Sequence, residues 1–213
     1  MELTNEVEVN SAVDDVWRAF NDPERIAPCL PGAQLQEIDG DEFRGVVKVK
    51  IGPISAQYKG AAIFVEQDEG QHRVVIKGEG RDTRGAGNAT ALITARLEST
   101  GDTSTKVTVD TDLKLTGKVA SFGRSGVIED VSANLMTQFA EKFETMMEET
   151  PAADSGPAPD AATTGPRKID QPEPEAVDLL DAAGAPVIKR VAPIVGIVLL
   201  IWLLRKILGG GSD

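Results

Sequence analysis

Hydrophobic positions change their period three times along this 213-residue chain, and each change marks a boundary. From Glu2 to Val9, polar residues alternate with Leu3, Val7 and Val9, the pattern of a half-buried strand. Val13, Val16, Trp17 and Phe20 then recur at helical spacing, preceded by Ser11 and Asp14 in the arrangement of an N-terminal capping box. Asp22-Pro23 closes that helix and opens a short one through Ile26. Pro28-Cys29-Leu30-Pro31-Gly32 ends it, since two prolines and a glycine cannot continue a helix. From Ala33 to Gly117 the period is two. It predicts strands at 33–38, 42–51, 54–67, 71–82, 86–98 and 104–117. The breaks are Asp39-Gly40, Gly52-Pro53, Glu69-Gly70, Arg84-Gly85 and Gly101-Asp102, and connections so short make the sheet antiparallel. After Gly117 the helical period returns, with Ile128, Val131, Leu135, Phe139, Phe143 and Met146 on one stripe of about 25 residues.

One apolar sheet face and one apolar helix stripe must cover each other. The pattern therefore predicts an α+β domain over residues 1–149, a seven-stranded antiparallel sheet around a long C-terminal helix. Many positions on the expected inner face are small: Gly45, Gly60, Ala62, Gly78, Gly80, Ala91 and Ala95. Protein interiors normally pack to crystal density. A sheet lined this way either leaves an apolar hollow of the kind that takes small molecules, or uses its glycines to bend onto the helix.

Residues 150–186 are rich in Pro, Ala, Gly and acids without apolar periodicity, the composition of a disordered linker. Residues 187–208 then form a hydrophobic C-terminal helix, in which Val191 to Leu204 are apolar without interruption. A helix with no polar face belongs in lipid or inside protein. Lys189-Arg190 and Arg205-Lys206 flank the run, and Trp202 stands near one end, as in a membrane anchor. Val191, Ile197, Leu200, Trp202 and Leu204 are its expected lipid contacts. The run is short for a span, so spanning and partial embedding both remain open, as does docking on a partner protein.

Acidic residues outnumber basic ones, 34 to 22, and residues 1–149 alone carry 26 against 16. No basic stripe with interleaved aromatics appears, which argues against nucleic acid as a partner. The single cysteine, Cys29, excludes internal disulfides, and the scarcity of His and Cys gives no metal-ligand spacing. The one histidine, His72, reads as a surface residue, and no acid-base pair is visibly placed in a cleft. A non-catalytic protein is expected. The opening MELTNEVEV lacks a signal-peptide pattern, so the domain is expected in the cytoplasm.

Several short motifs together resemble a known family. They are Val16-Trp17, Asp22-Pro23, Pro28-Cys29-Leu30-Pro31-Gly32, Gly52-Pro53-Ile54 with Tyr58 and Gly60, and Gly117 through Phe122-Gly123. Residues 1–146 resemble the START/Bet v 1-like (SRPBCC) superfamily of helix-grip domains and, within it, the carbon monoxide dehydrogenase G-subunit family. The resemblance implies an accessory protein of molybdenum carbon monoxide dehydrogenase or a related hydroxylase, associated with membrane attachment. It implies no catalytic residues and no covalent cofactor. A helix-grip hollow here would take a hydrophobic molecule such as an isoprenoid quinone, with Leu30, Tyr58, Ala62, Phe64, Phe122, Ile128, Val131 and Leu135 around it. The loops 28–32 and 117–126 are the expected gates. The whole would sit on the cytoplasmic side of the cell membrane, held by its C-terminus. General lipid carriage and a helix-grip enzyme such as a cyclase are the competing expectations.

Overall fold

The computed structural model describes residues 1–51, 54–85, 87–117, 120, 127–149, 166–171, 174 and 176–178. Strand β1 (Glu2–Val9) leads into α1 (Val13–Phe20), α2 (Pro23–Ile26) and one 3-10 turn (Ala27–Cys29). Six strands follow: β2 (Ala33–Asp39), β3 (Glu42–Ile51), β4 (Ile54–Asp68), β5 (Arg73–Asp82), β6 (Asn88–Gly101) and β7 (Ser104–Leu115). The long helix α3 (Val127–Glu149) completes the expected set. The strands lie in the order β1-β7-β6-β5-β4-β3-β2, with all these pairings antiparallel. The architecture is α+β, a curved sheet gripping a terminal helix.

Two local expectations change. Ser11 does not cap α1; its carbonyl accepts the Thr105 hydroxyl at 2.7 Å, and the cap position falls to Ala12, which makes no side-chain cap. Asp22 does cap α2, its carboxylate accepting the N–H of Glu24 at 3.0 Å and of Arg25 at 3.4 Å. The long helix makes its closest backbone approaches to β1 and the 3-10 turn, and its side chains pack on β5 and β6 at one end of the sheet.

The larger correction concerns the tether, which the composition predicts to be unstructured throughout 150–186. Two pieces of it join the sheet. Strand β8 (Arg167–Lys168) pairs antiparallel with β2, and β9 (Val177–Asp178) pairs parallel with β3. An edge strand presents unpaired N–H and C=O groups that any extended segment can satisfy, whatever its hydropathy. The Ile169 N–H donates to the Gln36 carbonyl at 2.9 Å. Gln171 accepts twice, from the Leu35 N–H at 3.1 Å and from the Gln34 amide at 2.6 Å. Arg167 pairs with Glu24 on α2. The β2 ladder reaches only Ala33 opposite Val47, so Val49 and Lys50 outrun it and β9 takes that free edge.

Met1–Leu179 forms one compact unit and Leu180–Asp213 a second, which lies outside the described residues. Val191, Ile197, Leu200, Trp202 and Leu204 are all in that second unit. Among the described residues, no helix is long and apolar enough to cross a membrane.

The buried core gathers at one end of the sheet. Val9, Val16, Trp17, Phe20, Cys29, Val74, Leu97, Val107, Phe139, Phe143 and Met147 pack there, drawn from α1, the C-terminal half of α3 and the strand ends nearest the β4–β5 hairpin. Phe20 meets Phe139 and Phe143 edge-on, with ring centroids 5.9 and 5.5 Å apart. His72 in that hairpin stacks edge-on against Trp17 at 5.6 Å and approaches the Asp14 carboxylate at 3.3 Å, so it ties the hairpin to α1.

Candidate ligand site

The other half of the concave face is not packed in this way. Alternation along the strands turns Phe43, Tyr58, Ala62, Phe64, Ile76, Gly78, Ala91 and Ile93 inward, and all of them are only half-buried; Phe64 and Ile76 also pack against the core cluster. Val47, also inward, is 40% exposed. In register, Phe43 faces Ala62, Ala62 faces Gly78 and Gly78 faces Ala91, a row whose small residues lie on three adjacent strands. Beyond its chain neighbours, no heavy atom comes within 4 Å of the point where a β-carbon of Gly78 would stand.

Hollow and bend, the two roles open to the small residues, divide among them. Gly45, Gly60 and Gly80 are also in register across three strands. A β-carbon on Gly60 would run into the Glu79 carbonyl, and one on Gly45 into the Gln34 carbonyl. These two are bend positions where backbones approach closely. Gly80 does a third thing: its missing side chain makes room for Tyr58, whose Cβ lies 3.3 Å from where a Gly80 β-carbon would be. The Tyr58 ring thus lies along the inner face, beside the open space at Gly78. On the other side, Phe43 and Phe64 meet edge-on with centroids 5.0 Å apart. Three aromatic rings and a floor of Gly and Ala define an apolar chamber wall.

Of the residues expected around a ligand, Tyr58, Ala62 and Phe64 lie together on this wall. Ile128, Val131 and Leu135 occupy the N-terminal half of α3, where the Asn5 amide donates to the Ser132 hydroxyl at 2.6 Å; Ile128 and Val131 are buried and Leu135 half-buried. Leu30 stands 44% exposed after the 3-10 turn; Cys29, beside it, is the buried residue of that loop. Phe122, and with it most of the 117–126 gate, lies outside the described residues.

One polar residue at this end carries no mark in the sequence. Asp82 is 3% exposed and lies directly across from Tyr58 in the β4–β5 register. Its carboxylate accepts the Arg84 N–H at 2.9 Å and the Gln57 N–H at 3.2 Å. No sequence signal marks it, because an acid next to a turn is commonplace. Burial, and secondarily the negative charge of Asp82, push the Tyr58 phenol above its ordinary pKa of about 10. Tyr58 is therefore a neutral hydrogen-bond donor across the physiological range. Its contribution to stability is intact below the unfolded pKa and is lost as pH rises through the higher folded value. As the only tyrosine in the chain, it reports alone in an alkaline titration followed at the phenolate absorbance. The expected midpoint is above that of the urea-unfolded chain, and Asp82→Asn should lower it. Coincident midpoints would place Tyr58 in solvent and remove it from the wall.

At the opposite, packed end, a solvent-open groove of about 450 Å³ runs between α2 and the last turns of α3. Glu24, Arg25, Glu141, Lys142 and Glu149 rim it, and Cys29 lies at its floor. Burial pushes the Cys29 thiol upward, so it stays protonated and unreactive. Among the described residues, no group of His, Cys, Asp and Glu is arranged to hold a metal ion.

A curved antiparallel sheet gripping a C-terminal helix, with an apolar wall beside that helix, defines a helix-grip domain of the Bet v 1-like class. Two solved structures with TM-scores above 0.5 share the fold. A conserved protein of Geobacillus kaustophilus matches at TM-score 0.63 with 20% identity, over 70% of this chain and 96% of that one. A Thermus thermophilus protein matches at TM-score 0.51 with 16% identity, over 73% and 100%. Norcoclaurine synthase from Thalictrum flavum aligns at TM-score 0.47 with 17% identity, over 70% and 87%. No curated protein matches the sequence. Residues 6–147 match the family described as the G subunit of carbon monoxide dehydrogenase (CoxG), and the chain belongs to that family.

Proposed function

We propose that this chain is a non-catalytic accessory protein that brings a molybdenum carbon monoxide dehydrogenase to the cytoplasmic face of the membrane and binds an apolar molecule such as a respiratory quinone. Membership in the CoxG family supports the choice of partner. The observation that carries the ligand is the divided concave face: one end packed by Phe139, Phe143 and Phe20, the other lined by Ala62, Gly78 and Ala91 under half-exposed aromatic rings. A flat ring seats between the Phe43–Phe64 pair and Tyr58, and the neutral Tyr58 hydroxyl donates to a ring carbonyl. Binding of this kind gains from burial at roughly 25 cal/mol per Å² and draws little from charge, so it depends weakly on salt and strongly on side-chain volume. The all-apolar run from Val191 to Leu204 holds the protein at the bilayer in which such a ligand dissolves.

Organic extracts of full-length protein purified from membranes should contain an isoprenoid quinone in amounts comparable to the protein, identified by mass spectrometry. Removal of residues 187–213 should move the protein to the soluble fraction. Extracts free of any apolar molecule, with no quinone bound on titration, would remove the ligand part. Unchanged fractionation of the truncated chain would remove the anchor. A mixture of phospholipids in place of a quinone would favour general lipid carriage.

A further inference from the structure

The outer face of the sheet treats its positive charges in two ways. Over most of it each cation has a carboxylate: Lys77 with Glu79 at 2.6 Å, Lys106 with Glu6 at 2.9 Å, Arg96 with Asp110 at 2.5 Å, and Arg73 with Glu66. At the end near the β3–β4 connection three cations, Lys59, Arg81 and Arg84, have no such partner among the described residues. Segments 46–59 and 81–88 hold five basic residues and a single acid, the buried Asp82, inside a domain that is strongly acidic overall. Lys59 and Arg81 stand directly opposite each other in the β4–β5 register, both exposed, with Arg84 exposed in the turn that follows. Like charges facing across a strand pair destabilise the sheet. None of the three has an ion-pair partner among the described residues, so no described carboxylate offsets that cost. Lys48 and Lys50, which have contacts of their own, border the same patch.

A second observation falls at the same place. Strand β9 sets Asp178 opposite Lys50, so the tether is pinned beside the basic patch before it leaves the domain. Counted from Glu149, the apolar run at Val191 is 42 residues away; counted from Asp178 it is 13. Thirteen residues reach at most about 45 Å when fully extended.

We propose that Lys59, Arg81 and Arg84 form a docking surface for anionic lipid headgroups at the bilayer surface. The surface sets this end of the sheet at the bilayer, next to the point where the tether leaves the domain. The patch and the pinned tether act together: one supplies attraction to the surface, the other a short leash that begins next to it. This rests on the membrane-held reading of residues 191–204 for the leash, and on the charges alone for the patch.

The test uses the full-length chain with vesicles of phosphatidylcholine, with and without phosphatidylglycerol. Each basic residue near an anionic surface contributes roughly fivefold in affinity. Lys59→Glu/Arg84→Glu should therefore lower binding to the anionic vesicles at least about tenfold and leave binding to neutral vesicles unchanged. The single variant Lys59→Glu places a carboxylate opposite Arg81, so its Tm should hold or rise while anionic binding falls. That opposition of signs cannot come from misfolding. An anionic preference that survives the double variant, with neutral binding intact, overturns the patch but leaves the anchor. Absence of binding to either vesicle overturns the anchor reading and the patch together. Loss of affinity for the partner dehydrogenase, without loss on vesicles, reassigns the patch to an acidic protein surface and overturns the proposal.

Discussion

Phe143→Ala is expected to lower stability by about 3–5 kcal/mol, the largest loss for any single truncation in this domain. Phe143 has no exposed surface and contacts Phe20 and Phe139 edge to face or tilted, at centroid distances of 5.5 and 5.6 Å. Truncation removes the transfer free energy of a ring and opens a cavity that a sheet on one side and α1 on the other cannot collapse to fill. Urea denaturation of the variant measures it: the midpoint should fall sharply with little change in slope. A loss below about 1 kcal/mol would mean that α3 is not seated on the sheet at this end. Because residues of α1, β1, β5, β6, β7 and α3 meet here, the damage should reach the whole domain.

Gly78→Val is expected to behave in the opposite way: little or no loss of stability, and at least a tenfold loss of quinone affinity. A β-carbon at Gly78 meets nothing within 4 Å, and a β-branched residue suits a strand better than glycine does. The added volume enters the chamber itself, where only a ligand would contest it. Gly60→Val provides the contrast, since its β-carbon collides with the Glu79 backbone, and overpacking of that kind costs about 1–3 kcal/mol. The pair is read by thermal denaturation together with quinone titration. Equal destabilisation by both would show the row at Ala62, Gly78 and Ala91 to be packed, and the ligand site would fall with it.

Periodicity alone was enough to find the seven strands, the long helix and the turn positions. Alternation at two and recurrence at 3.6 are imposed by backbone geometry on any half-buried element, and they survive in the residue types. Periodicity also located the small residues on the inner face. It could not separate Gly78, which borders open space, from Gly60, which permits a close backbone approach, because both occupy inward positions of alternating strands. That difference arises from how closely neighbouring strands approach, which is decided between segments distant in sequence.

The short strands in the tether escape composition for a related reason. Composition reports whether a segment can bury apolar surface, and residues 166–178 cannot. The edges of β2 and β3 bind backbone groups instead, and hydrogen-bonding capacity is the same in every non-proline residue. The charge surplus of the domain was countable from the sequence as a single acidic total. Its division into an ion-paired face and an end where Lys59, Arg81 and Arg84 stand without ion-pair partners among the described residues was not, since Lys59 and Arg81 are 22 positions apart until strand register sets them side by side. A segment's own residues determine what it is capable of; tertiary register decides which capacities meet, because burial and charge pairing are properties of neighbours in space.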